Sequence, residues 1–133
     1  MDLDFNKIFK TALKSNNGLY KKFIYYFCKH YFYCDIHPNN NISDRVEFAH
    51  NALGVVINKD AIIEENVVIH HHVTLGRNDS GVPHICEGVL LGAYAIVLGN
   101  VVIGRGVKIG AGCVCNKRCP SWMYCSWKSY ADY

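Results

Sequence analysis

Histidine and cysteine are the residues of this chain with the most chemistry to offer, seven of each among 133, and their spacing sorts them. The cysteines are Cys28, Cys34, Cys86, Cys113, Cys115, Cys119 and Cys125. An odd count with no apolar N-terminal signal segment suits a reducing cytoplasm better than a disulfide framework. The four late ones invite a zinc cluster, but no pair of C-x-x-C motifs exists, so packing thiols is the better reading. His70, His71 and His72 put three imidazoles side by side. Zinc needs converging ligands, and adjacent strand residues point to opposite faces, so His71 is expected on one side with His70 and His72 on the other. No metal is expected. An imidazole with an ordinary pKa near ~6.5 can take a proton from a hydroxyl at neutral pH, and of the seven it is His50 that sits where a repeat breaks.

That repeat has a period of six. From Ile85, apolar residues recur at Leu91, Val97, Ile103, Ile109 and Cys115, and the residue four further on is small or β-branched: Val89, Ala95, Val101, Val107, Cys113 and Cys119. An earlier run obeys the same rule through Ile57, Ile63, Ile69 and Leu75, and Ile42, Val46 and Phe48 begin it. Each repeat reads as a short strand and a turn, three sides make one coil, and successive coils pair in parallel at a spacing of ~4.8 Å. The fold expected is an all-β repeat, a parallel β-helix, with a short N-terminal α-helical segment. Gly76, Gly92, Gly104 and Gly110 follow first positions, and a positive φ at a corner is the expected reason.

The divisions expected are 1–34 as the helical segment, 35–120 as the β-helix and 121–133 as a C-terminal tail. The helical segment and the Trp-rich tail would cover the two ends of the coil. Lys22, Lys29 and His30 interrupt the aromatic stretch 22–34 far short of the ~20 apolar residues that span a bilayer. Half the residues are hydrophobic, enough for a core, and the net charge of +3 is spread without a run of like charges, so no nucleic-acid partner is expected.

Two breaks interrupt the register. Phe48 and Ile57 stand nine apart, with His50 between them, and Leu75 and Ile85 stand ten apart around the polar stretch Arg77-Asn-Asp-Ser-Gly-Val-Pro83. A strict repeat departs from its rule mainly where function intrudes.

With the register in place, the chain resembles the hexapeptide-repeat acyltransferases, and within them the serine acetyltransferases and their sugar O-acetylating relatives. The resemblance covers about residues 33–120. It rests on Asp35-Ile-His-Pro38, on His50 fifteen residues later followed by Gly54-Val-Val-Ile57, and on Val73-Thr-Leu-Gly76, Gly88-Val-Leu-Leu-Gly-Ala93 and Ile109-Gly-Ala-Gly112. It implies a left-handed coil, acetyl-coenzyme A as donor, and a homotrimer with active sites between subunits. It also implies His50 as general base, Asp35 as the carboxylate orienting it, and Arg77, Asn78, Ala93, Ala111 and Lys117 along the coenzyme groove.

Departures from the family pattern shape the expected acceptor. Ala49 stands where the serine-using enzymes carry an aspartate, and Val82 where they carry a second histidine. Losing an anionic partner for an ammonium group favours an uncharged sugar or polysaccharide hydroxyl over free serine, the alternative acceptor. The tail also lacks the Gly-x-Pro-Ala segment usual in the family, having Ser126-Trp-Lys-Ser-Tyr130 instead. That absence and Ala49 motivate a second alternative, a non-catalytic β-helix scaffold. A third, the zinc carbonic anhydrases that share the coil, lacks the His-x4-His pair it would need.

Overall fold

The structure is a computed structural model that describes residues 2–125. Its strands are two or three residues long and fall into three parallel sheets, the faces of a prism. The first face carries Asn41–Ile42, Ile62–Ile63, His84–Ile85 and Val102–Ile103. The second carries Glu47–Phe48, Val68–Ile69, Leu90–Leu91, Lys108–Ile109 and Tyr124–Cys125. The third carries Val56–Ile57, Thr74–Gly76, Ile96–Leu98 and Val114–Cys115, and Asp35 extends it by a bridge to Val56. The chain is a parallel β-helix of hexapeptide repeats, as the sequence predicts, consistent with the left-handed coil that the resemblance implies.

Why these residues wind this way is visible in the interior columns. In-register pairing stacks Ile42, Ile63, Ile85 and Ile103 along the first face. Phe48, Ile69, Leu91 and Ile109 stack along the second, and Ile57, Leu75, Val97 and Cys115 along the third. All are buried. The small residues four positions on, among them Ala61, Val67, Val73, Val89, Ala95 and Val107, are wholly buried at the corners, where two faces converge and only a short side chain fits.

The glycines at the second position turn out to act by close approach rather than by conformation. Positive φ falls elsewhere at the corners, on Gly54, His72, Tyr94 and Gly112 among others, whereas Gly76, Gly92, Gly104 and Gly110 keep φ values open to any residue. A Cβ on Gly92 would lie 2.6 Å from the backbone nitrogen of Ala111 in the next coil. Gly92→Ala should therefore push two coils apart and cost about 1–3 kcal/mol, read as a lower urea midpoint at unchanged slope.

Two helices precede the coil. Helix α1 (Phe5–Lys14) starts at Asp4, whose side chain accepts the Asn6 N–H, and α2 (Gly18–Tyr31) starts at Asn17, whose side chain accepts from Tyr20. Phe5, Phe9 and Ala12 recur on one face of α1 and are buried. The rings of Phe5 and Phe9 meet Phe48 edge-on at 5.2 and 6.0 Å, so α1 closes the open end of the first coil. Asn6 fixes it there by hydrogen bonds to both the N–H and the carbonyl of Phe48. From α2 only Ile24 and Cys28 are buried, while Leu19, Phe23, Tyr26 and Tyr31 face outward. No helix among the described residues is long and apolar enough to cross a membrane. At the other end, Tyr124–Cys125 pairs with Lys108–Ile109, so the winding continues past residue 120. The segment Ser126 to Tyr133 lies outside the described residues.

Candidate functional site

The first register break is a three-residue bulge at the corner joining the second and third faces. His50, Asn51 and Ala52 all adopt left-handed backbone, with φ of 51°, 55° and 59°. Such a run is costly for non-glycine residues and is held here from outside: the Phe5 N–H donates to the Asn51 side chain at 3.0 Å, and Ala52 is wholly buried. The bulge leaves the His50 side chain exposed at the corner.

The neighbour of His50 is another imidazole. His71 follows Ile69 by two residues as His50 follows Phe48, and those anchors pair in register, so one ring sits above the other. They meet edge-to-face at 4.9 Å. His71 also touches His72 and Tyr94, and the His72 and Tyr94 rings stack at 4.7 Å. The expected alternation of His71 against His72 therefore does not occur: these residues lie in a turn, and the left-handed φ of 57° at His72 brings its ring to the same outer side. Burial, and then the nearby His50, His72 and His70, lower the pKa of His71. Its Nδ1 is shielded and has no hydrogen-bond partner among the described residues. A neutral His71 can lie against His50 without opposing a positive charge there.

Asp35, the carboxylate expected to orient His50, is engaged by α2. Its carboxylate accepts from the Tyr25 hydroxyl at 2.9 Å and pairs with Lys29 at 3.3 Å, and no hydrogen bond or ion pair joins it to His50 among the described residues. It lines a cleft of about 680 Å³ between α2 and the third face, with Tyr25, Tyr26, His37 and Val56. The coil carries Asp35 and His50 on adjoining turns; α2 supplies the groups that engage the carboxylate.

The expected groove residues frame the third face. Ala93 and Ala111 continue the column that begins at His71, because Leu91 and Ile109 pair in register with Ile69. Ala93 is half-buried and Ala111 exposed, so this edge carries short side chains in the coils beyond His71. On the other edge, Lys117 is exposed in the same column as Arg77, each two residues beyond paired third-face positions. The Arg77 guanidinium is engaged by Asp60 at 2.6 Å. Asn78 organises its loop, accepting from the N–H and hydroxyl of Ser80 and exchanging backbone bonds with Gly81.

Residues 83–117 match the family described as bacterial transferase hexapeptide (six repeats). The serine acetyltransferase of Buchnera aphidicola (subsp. Schizaphis graminum) is 41% identical over 97 residues, covering 69% of this chain and 37% of that one. A match of that length within 133 residues must include His50. Among solved structures, serine acetyltransferase isoform 3 of Entamoeba histolytica in complex with cysteine superposes with a TM-score of 0.76 at 28% identity, covering 92% of this chain and 45% of that one. A serine acetyltransferase in complex with CoA gives 0.74 at 32% identity, over 90% of this chain and 50% of that one. This chain is a hexapeptide-repeat protein of the serine acetyltransferase-like type. The serine acetyltransferase-like chain thus spans between about a third and a half of the length of these relatives. The signal for His71 was present in its sequence: counting two residues on from each second-face anchor puts His50, His71, Ala93 and Ala111 in one series.

Proposed function

We propose that the chain is an acetyl-coenzyme A-dependent O-acetyltransferase whose acceptor hydroxyl is that of serine. The observation that carries the reading is the combination of an exposed imidazole on a strained bulge with relatives and solved structures that are serine acetyltransferases across the same coil. The expectation of a sugar acceptor finds no support among those relatives. The small-residue strip beyond His71 suits a long thioester laid along the coil, which is the fit that the donor requires.

In the reaction, His50 takes the proton of the acceptor hydroxyl as its oxygen attacks the thioester carbonyl, and returns a proton to the departing thiolate. The side chains that frame the third face, Ala93, Ala111, Arg77, Asn78 and Lys117, would orient the donor. Asp35 acts on this reading only if its carboxylate exchanges Lys29 for His50. A homotrimer completes the site: Leu53, Val56, Tyr94 and Val114 are exposed apolar residues along the third face and its corner with the second, a surface suited to an adjoining copy. Seven free thiols suit a cytoplasmic setting.

Release of free coenzyme A from acetyl-coenzyme A tests the acceptor. Serine is expected to be turned over, with a particle mass three times the 15.0 kDa of one chain. Turnover with sugars but not serine would restore the uncharged acceptor that Ala49 suggests. No turnover and no thermal shift with coenzyme A would leave a scaffold.

A further inference from the structure

Away from this corner, the first face brings together three unlike ligand groups. Glu64 and Cys86 follow the paired positions Ile63 and Ile85, and His84 lies two residues before Cys86 on the same outward side. One donor atom from each of Glu64, His84 and Cys86 lies within 4.8 Å of both others. Their burial is intermediate, so the cluster is reachable from solvent yet partly walled.

From this geometry we infer that Glu64, His84 and Cys86 form a binding site for a divalent cation of the zinc type, with a fourth position open to water. A carboxylate, an imidazole and a thiolate are the donor set of a borderline-soft ion rather than of magnesium or calcium. Zinc bonds of about 2.0–2.3 Å set tetrahedral ligand atoms about 3.3–3.7 Å apart. The Glu64 and His84 atoms, now 2.7 Å apart in a hydrogen bond, need to open by about 0.6–1 Å to share an ion.

The surroundings support the same use. The second oxygen of Glu64 accepts the Glu87 N–H at 2.8 Å, which holds the carboxylate in orientation as outer partners of metal ligands do. Of the two arginines near the cluster, Arg105 is engaged by Glu87 at 3.3 Å and Arg118 lies toward Cys86. An ion pair between Glu64 and His84 accounts for two of the groups; it leaves the thiol unexplained. Cys86 is also unlike the other cysteines, which lie between the coil and the helices or at the far end of the coil. Nothing in the sequence pointed to a metal here, because Glu64 belongs to a different repeat from His84 and Cys86 and meets them only when two coils stack. Ligation would tie those coils together.

Titration of the whole chain with Co²⁺ and Zn²⁺ tests the site. One Co²⁺ per chain is expected, with a thiolate-to-cobalt charge-transfer band in the near ultraviolet that Zn²⁺ abolishes by competition. Binding should tighten as pH rises, since the Cys86 proton must leave, and Zn²⁺ should raise the melting temperature. Cys86→Ser should remove the band, and Glu64→Gln, which can still accept the Glu87 N–H, should weaken binding by about a hundredfold or more, each with circular dichroism unchanged. A missing band in the parent chain, or one that persists in Cys86→Ser and so belongs to the other thiols, overturns the assignment.

Discussion

His50→Asn is expected to lower kcat for acetyl transfer by about 10²–10⁴-fold, the usual contribution of a general base, while moving stability by no more than about 0.5 kcal/mol. Asparagine is the right replacement because the native φ is 51°, and asparagine enters the left-handed region more readily than alanine does. The side chain is exposed, and among the described residues its ring meets that of His71, so little packing is lost. A second readout separates the loss of a base from a distorted bulge. His71 is held below the ordinary histidine range first by burial and then by the charge of its histidine neighbours, His50 foremost. Removing His50 should raise the His71 pKa part of the way back, followed by NMR titration of the imidazole signals. The depressed His71 pKa also gives a sign in the parent protein: the unfolded chain binds that proton more tightly, so this group's contribution makes stability fall as pH drops through the ordinary histidine range. Wild-type turnover in His50→Asn would remove the imidazole from the chemistry.

How far the sequence revealed this site depends on whether a feature is carried by the repeat or by contacts across it. The columns of Ile63, Ile85 and Ile103 were legible because every coil restates the rule, and the bulge at His50 was legible as a breach of it. The glycines were located but assigned the wrong cause. Composition marks a position that excludes a side chain, and only the stacked coil shows that Gly92 is kept small by the backbone of Ala111 rather than by its own φ. The claim of Lys29 and Tyr25 on Asp35 was not legible at all, since it depends on where α2 lies against the third face. The same holds for Glu64 beside His84 and Cys86, whose separation in sequence obeys no ligand spacing.

Ile103→Asp is the substitution expected to unfold the chain. Ile103 is wholly buried, pairs with Ile85 in the coil before it and bridges to Cys119 in the coil after. A carboxylate there would enter the column of Ile42, Ile63 and Ile85, inside a prism whose buried residues are apolar among the described residues of the coil's strands. Leaving such a charge unpaired costs about 3–5 kcal/mol, and the group escapes part of that only by taking up a proton. A further loss of a few kcal/mol comes from the missing isoleucine packing. Together these rival the whole stability of a domain this size, about 5–15 kcal/mol. Because each coil is held by its neighbours, the damage should spread in both directions along the axis rather than remain local. Circular dichroism and urea titration should show a largely unfolded chain at neutral pH, with partial recovery as acid neutralises the carboxylate. Ile103→Val, which keeps the rung but trims it, should fold and lose only about 0.5–1.5 kcal/mol. A well-folded Ile103→Asp protein would mean that this side chain points outward, and with it the register that places every residue of the site.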